Sequence, residues 1–117
     1  MTITTLNDYQ YKASAFVTYG PKPLHEQFLY EALGLAGEAG ELAGHVAKAI
    51  RDEDYPTKGL TPDRETLIRK ELGDVLWFVA ALADSMGYSL RDIANSNLQK
   101  LQDRKDRGVI QGSGDHR

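Results

Sequence analysis

Cysteine is absent from the 117 residues of the sequence. Its absence excludes disulfide bonds, thiolate nucleophiles and cysteine zinc sites, and it suits a reducing cytoplasm, where we expect the protein to reside. Long apolar runs are also missing: the longest, residues 75–83, is far shorter than the roughly 20 residues of a membrane span. The first eleven residues carry no basic patch followed by an apolar run, so no signal peptide is predicted.

An excess of positive charge is equally absent, because the formal net charge is −3. This balance gives no general reason to bind nucleic acid or an anionic membrane. One feature would favour a nucleic-acid partner, a basic cluster near the end of the chain: Lys100, Arg104, Lys105 and Arg107. Acidic Asp103 and Asp106 are interleaved with these residues. We therefore expect neither a nucleic-acid partner nor a membrane partner.

The residues that are present predict a compact, all-α, four-helix-bundle-like fold in one domain spanning 1–117. Hydrophobic residues make up 41% and charged residues 26%, as in ordinary globular proteins. Apolar residues recur at helical spacings, and no segment shows convincing strand alternation. The predicted helices cover residues 6–19, residues 24–52, a third segment from 61 or 62 to Gly87, and a fourth from Ser89 to about 107.

Capping and breaking residues set these boundaries. Asn7 or Asp8 is predicted to cap the first helix, Gly20-Pro21 to end it, and Thr61-Pro62 to begin the third. Ser89 should cap the fourth helix. Residues 54–62 contain Pro56, Gly59 and Pro62 and are predicted to form a loop, and the tail from Gly108 should be irregular.

Two pairs of carboxylates carry the chemistry of this sequence. Glu38 and Glu41 are three residues apart in the second helix, and Glu71 and Asp74 are three apart in the third. Residues at this spacing share a helix face. Antiparallel packing of the two helices would bring both pairs together, and four carboxylates around one space suit Mg²⁺ or Mn²⁺.

The neighbours of these acids are mostly small or apolar, which favours an interior cleft and a cation partner over open water. The alternative is a solvated or salt-bridged helix face. Gly34, Gly37, Gly40 and Gly44 lie within the same helix, where each costs about 1 kcal/mol relative to alanine. Close helix packing is one explanation for these glycines, and room for a ligand is another.

The run Leu35-Ala36-Gly37-Glu38-Ala39-Gly40-Glu41-Leu42, followed by Lys70-Glu71-Leu72-Gly73-Asp74-Val75-Leu76-Trp77, resembles the MazG-like all-α nucleoside triphosphate pyrophosphohydrolases. Their mark is E-x-x-E on one helix and E-x-x-D on the next. The resemblance implies Mg²⁺-dependent hydrolysis between the α and β phosphates and a homo-oligomer, dimer or tetramer. It also favours Asn97 and Lys100 as substrate contacts. The loop 54–62 is longer than in compact members.

Other candidate site residues follow from position. Glu38 or Glu41 is the candidate general base. Lys48, two turns after Glu41, and Arg104, on the face of Asn97 and Lys100, are candidate phosphate ligands, or else solvated charges. Trp77 could stack on a nucleobase or pack in the core. Further residues are weaker candidates: Phe16, Tyr19 and His25 for base contacts, and His45 for packing or support of the metal ligands.

Two other functions remain open at this point. The acids could hold a structural cation in a non-catalytic module for oligomerisation or partner binding. An enzyme that removes the terminal phosphate would use the same metal chemistry. Products of the reaction distinguish these alternatives.

Overall fold

A computed structural model describes residues 1–20 and 23–117, and in this part of the chain every regular element is a helix. The all-α prediction is confirmed. The α-helices are α1 (Leu6–Ala13), α2 (Leu24–Asp52), α3 (Tyr55–Lys58), α4 (Pro62–Ser85) and α5 (Leu90–Asp106), and a 3₁₀ turn, Ser14–Phe16, follows α1. No described helix is both long enough and apolar enough to cross a lipid bilayer.

The first helix begins at Leu6 as predicted, but its capping residue and its end differ from the prediction. Its cap is Thr5, not Asn7 or Asp8, because the Thr5 hydroxyl accepts the Asp8 amide at 3.0 Å. Helical backbone stops at Ala13, and the chain tightens into the 3₁₀ turn instead of continuing to residue 19. The predicted stop at Gly20-Pro21 lies partly outside the described residues.

The segment predicted as a loop, residues 54–62, contains the short helix α3. Pro56 is compatible with it, since proline fits the first turn of a helix. Asp54 and Gly59 flank the helix with positive φ angles of 52° and 73°, which let the chain turn sharply on both sides.

The caps of the later helices agree with the sequence. The Thr61 hydroxyl accepts the Arg64 amide at 3.1 Å, and the Ser89 hydroxyl accepts the Asp92 amide at 3.1 Å. Gly87, with φ of 79°, follows the end of α4. Its left-handed backbone lets the Tyr88 amide reach back to the Ala83 carbonyl at 2.9 Å.

Helices α2 and α4 pack antiparallel along most of their length. Contacts join Glu31 to Ser85 near one end, His45 to Glu71 in the middle, and Glu53 to Arg64 near the other. This pairing confirms the antiparallel arrangement that the acid pairs required. At one position the helices approach too closely for a side chain, because a Cβ on Gly34 would lie 2.2 Å from the Phe78 ring.

The buried core of the single chain is small for its length. Its centre is Ala80, Ala83 and Leu90, with Tyr9 and Val79 packed against them. The radius of gyration is 17.3 Å, whereas a compact domain of about 100 residues has roughly 13 Å. The helices of the single chain are therefore spread out, and large apolar side chains remain exposed: Leu33 is 72% exposed and Leu98 is 63% exposed.

Candidate metal centre

Three of the four predicted carboxylates meet between α2 and α4. Glu38, Glu71 and Asp74 each offer an oxygen, and these oxygens all lie within 4.8 Å of one another. Glu71 and Asp74 are one turn apart on α4, and antiparallel packing places Glu38 of α2 opposite them. Glu38 and Glu71 are partly buried, while Asp74 is exposed. The exposure of Asp74 leaves one side of the group open to solvent.

The fourth carboxylate, Glu41, is exposed and stands outside this group. Its charge nevertheless reaches Glu38. Burial raises the pKa of Glu38, and the charge of Glu41, the contact with Glu71 and the charge of Asp74 raise it further. These carboxylates therefore repel one another when they are ionised together.

This donor set fits a divalent cation. Three carboxylates within one small space are hard oxygen ligands of the kind that Mg²⁺ and Mn²⁺ accept. A cation would also relieve the repulsion that raises the pKa of Glu38. The residues present thus agree with the cofactor that the sequence predicted, and they would hold it through Glu38, Glu71 and Asp74.

The raised pKa leads to a prediction about stability without metal. A carboxyl whose pKa is higher in the folded state than in the unfolded state lowers the stability of the fold at pH values above that pKa. This loss of stability disappears as the pH falls toward 4.5, the ordinary pKa of the Glu38 carboxyl. We expect Glu38→Gln to unfold at a higher temperature than the wild type in EDTA at about pH 7.5, with the advantage shrinking at about pH 5. In saturating Mg²⁺ the wild type should unfold at the higher temperature, because the variant lacks one of the carboxylates that would bind the ion. A variant less stable in EDTA at the higher pH would contradict this explanation.

His45, predicted to be a packing or supporting residue, contacts one carboxylate of the acid cluster directly. Its Nε2 lies 3.3 Å from Glu71 Oε1, and its Nδ1 lies 3.0 Å from Arg64 Nη1. Arg64 in turn donates two hydrogen bonds to Glu53, at 3.1 and 2.8 Å. Sequence reasoning missed the Glu53–Arg64 part of this chain, because only the α2–α4 register shows which residues face each other.

Trp77 lies close to α1. Its indole Nε1 donates to the Ala13 carbonyl at 3.1 Å, and its ring meets Phe78 and Tyr19 edge to face, with centroids 5.0 and 6.4 Å away. Of the two roles considered for Trp77, these contacts are those of a packing residue.

A conservative change at Trp77 tests that role. Trp77→Phe should destabilise the fold by about 1 kcal/mol, because the hydrogen bond to Ala13 is lost and a carbonyl loses its partner. KM for a nucleotide should stay unchanged. Chemical denaturation and steady-state kinetics measure the two quantities. A raised KM with unaltered stability would instead mean that Trp77 stacks on the base.

The predicted phosphate and substrate contacts lie on two helices, α2 and α5. Lys48 is exposed on α2, while Asn97 and Lys100 are exposed on α5, which packs against α1 and α4. Arg104 is only 5% exposed, and its Nη2 donates to the Asp115 carboxylate and backbone carbonyl, both at 3.1 Å. Lys100 Nζ also reaches Asp115, at 3.5 Å. The C-terminal segment therefore folds back on α5 and neutralises its cations.

The weaker candidates for base contacts lie toward the other end of α2. Tyr19 packs on Tyr30 and donates its hydroxyl at 3.0 Å to Glu31, which is 1% exposed and also accepts from Ser85. Burial and the hydrogen bond to Glu31 raise the pKa of Tyr19. Phe16 and His25 are exposed. This buried network was not predicted, because no spacing in the sequence marks it.

Comparison with known proteins identifies a family and two relatives. The MazG nucleotide pyrophosphohydrolase domain matches residues 28–109, which include every residue of the acid cluster. The chain is 46% identical over 112 residues to the Gene 37 protein of Mycobacterium phage L5, covering 93% of this chain and 96% of that protein. It is 32% identical over 96 residues to the uncharacterized protein YvdC of Bacillus subtilis (strain 168), covering 80% and 84%.

No solved structure gives a significant match to the chain. The domain match covers well over half of the sequence, and both relatives align across most of their lengths. The match supports a nucleotide pyrophosphohydrolase, as the resemblance implied, and enzymes of this family generally use divalent metals. The chain belongs to the MazG nucleotide pyrophosphohydrolase family.

Proposed function

We propose that this protein hydrolyses a nucleoside or deoxynucleoside triphosphate to the monophosphate and pyrophosphate, in a Mg²⁺-dependent reaction. The observation that carries the proposal is the approach of Glu38, Glu71 and Asp74 to within 4.8 Å, inside a domain matched as a nucleotide pyrophosphohydrolase. We further propose that the 117 residues act as one catalytic domain, with Mn²⁺ as a substitute cation.

The division of labour among the acids follows from their positions. Glu38, Glu71 and Asp74 would hold the cation, which would supply neutralisation of phosphate charge and a site for the attacking water. Glu41 lies outside the group but close enough to influence Glu38. A carboxylate that is not a metal ligand can accept a proton from water. Of the two candidates, Glu38 and Glu41, we therefore propose Glu41 as the general base.

Cations for the triphosphate would come from Lys48, Lys100 and Arg104, with Asn97 as a neutral contact. Lys48 is already exposed. The contacts of Lys100 and Arg104 with Asp115 would have to be exchanged for contacts with phosphate oxygens. The Asp115 side chain is 78% exposed, so breaking its ion pairs with Lys100 and Arg104 would cost little stability.

The exposed apolar surface supports a homo-oligomer. A single chain leaves Leu33 72% exposed on α2 and Leu98 63% exposed on α5. Large apolar side chains that stay exposed on two helices would be buried against a second copy of the chain, and the radius of gyration of 17.3 Å is large for a chain of this length. Sedimentation should give a multiple of 13.0 kDa, and Leu33→Lys should shift the mass toward the monomer. A wild type that sediments as a monomer would contradict the oligomer.

A product assay tests the reaction. The protein is incubated with a panel of dNTPs and NTPs, with Mg²⁺ or EDTA, and the products are separated by ion-exchange chromatography. Monophosphate and pyrophosphate should appear together and only with the metal. If diphosphate and inorganic phosphate appear instead, the proposed reaction is wrong and the enzyme removes the terminal phosphate.

The same exposed apolar surface favours one second candidate, a non-catalytic metal-binding module for oligomerisation. It predicts metal-dependent stability with no phosphate or pyrophosphate release from any nucleotide of the panel. The two candidates therefore differ in one measured quantity, the rate of product formation by folded, metal-bound protein.

A further inference from the structure

We propose that His45 is a positioning residue for the metal centre: its Nε2–H holds the Glu71 carboxylate, and Arg64, clamped by Glu53, fixes the His45 tautomer that makes this possible. The inference rests on the proposed function for its meaning, since Glu71 is one of the proposed metal ligands. Its structural basis is an unbroken chain of hydrogen bonds across α2 and α4.

The direction of each hydrogen bond follows from the chemistry of the partners. Arg64 carries only N–H donors, so the imidazole nitrogen that faces its Nη1 at 3.0 Å must be an acceptor. This nitrogen, Nδ1, is therefore unprotonated, and the proton of neutral His45 resides on Nε2. Nε2 lies 3.3 Å from Glu71 Oε1 and donates to it.

Arg64 can impose this order because its own position is fixed. Its Nε and Nη2 form a two-pronged pair with the two carboxylate oxygens of Glu53, at 3.1 and 2.8 Å, which leaves Nη1 directed at His45. The Arg64 side chain is only 14% exposed, and those of His45 and Glu71 are 16% and 14% exposed. Solvent competes weakly at this depth, so the chain of hydrogen bonds is effective.

A fixed Glu71 is useful to a metal centre. A carboxylate binds a metal more tightly when a neighbouring group donates a hydrogen bond to one of its oxygens and so directs the other oxygen at the ion. His45 lies one turn after Glu41 on α2, so the helix that supplies Glu38 also supplies the residue that orients Glu71. Loss of such supporting contacts typically costs about 10–100-fold in metal affinity or activity.

The tautomer is tested in protein without metal. A long-range proton–nitrogen NMR spectrum separates protonated from unprotonated imidazole nitrogens, and the His45 signals are identified by their loss in His45→Gln; His25 and His116 serve as internal references. We expect a protonated Nε2 and an unprotonated Nδ1. A protonated Nδ1, or rapid averaging of the two tautomers, would overturn the hydrogen-bond order.

The positioning role is tested by Mn²⁺ affinity, measured by calorimetry without nucleotide. His45→Leu should weaken binding about 10–100-fold. His45→Gln retains a donor nitrogen the same number of bonds from the backbone as Nε2, and it should recover most of that loss. Equal affinities for wild type and both variants would overturn the role while leaving the proposed function intact. A wild type that binds no Mn²⁺ would refute the proposed function and, with it, the role of His45.

The double variant Arg64→Met, Glu53→Gln separates positioning from charge. It removes one positive and one negative charge, so simple electrostatics predicts little change in affinity for a cation. Positioning predicts weaker Mn²⁺ binding and a mixture of His45 tautomers in the NMR spectrum. Arg69→Met is the control on α4, since Arg69 is exposed. Unchanged or tighter binding by a folded double variant would overturn the proposal.

Discussion

Glu71→Gln should lower turnover of the preferred triphosphate by about a hundredfold or more. The change keeps the size of the side chain but removes the charge of a carboxylate that lies with Glu38 and Asp74 within 4.8 Å. Stabilisation of charge by a bound metal is worth several kcal/mol in the transition state, and each 1.4 kcal/mol corresponds to about a factor of ten in rate. Pyrophosphate release at saturating substrate, over a range of Mg²⁺ concentrations, measures the effect.

Glu65→Gln is the matched control for this experiment. Glu65 is an exposed acid in the first turn of the same helix, α4, outside the acid cluster. It should keep turnover within about twofold of wild type, because a distant surface charge is largely screened. Glu41→Gln distinguishes the roles of the acids: a general base should lose kcat while Mg²⁺ affinity is retained. Full activity in Glu71→Gln would refute the assignment of the metal centre.

Gly34→Ala should destabilise the fold by about 1–3 kcal/mol, the usual cost of overpacking. The added Cβ would lie 2.2 Å from the Phe78 ring. That ring cannot move freely, because Trp77 meets it edge to face at 5.0 Å and Tyr30 lies 6.2 Å away. Alanine is ordinarily the better helix former, so a loss of stability would be a direct sign of the close approach. Urea denaturation measures it.

Gly44→Ala provides the control on the same helix. A Cβ at Gly44 meets nothing within 4 Å, so this variant should gain up to about 1 kcal/mol from helix propensity. Phe78→Leu should restore part of the stability of Gly34→Ala by making space. Two alanine variants of equal stability would show that the Phe78 ring is not fixed against Gly34 as the structure indicates.

The elements that depend on local chemistry could be predicted from the sequence. Helix α2 begins at Leu24 and ends at Asp52 as predicted, because Pro23 and the breakers after Asp52 act over a few residues. Ser89 caps α5 as expected. Thr5 was missed because it competes with Asn7 and Asp8, and all three residue types are good caps. α3 was missed because Pro56 and Gly59 suggest a turn as readily as a short helix.

The sequence predicts those parts of the candidate site that depend on the spacing of residues within one helix. The spacing of three residues puts Glu71 and Asp74 on one face, and antiparallel packing brings Glu38 to them. Glu41 is at the same spacing but lies outside the group, since the exact rotation of α2 against α4 is a tertiary property. Close packing of the glycines is confirmed at Gly34, whereas a Cβ at the other three would meet nothing within 4 Å: Gly37, Gly40 and Gly44.

Contacts between distant segments could not be predicted. The burial of Arg104 against Asp115 has no signal in the sequence. Trp77 lies one turn after Asp74, but its indole is bound to Ala13 of α1. Each of these partners is fixed by how a terminal segment folds back on the long helices, and no periodic pattern carries that information.

The most direct test of the metal centre is the position of Mn²⁺ in crystals of the protein, located by its anomalous scattering. The structure predicts a peak bounded by the carboxylate oxygens of Glu38, Glu71 and Asp74 in the wild type, and none there in Glu71→Gln. Strong anomalous density elsewhere on the protein, with no peak among these three carboxylates, would contradict the account.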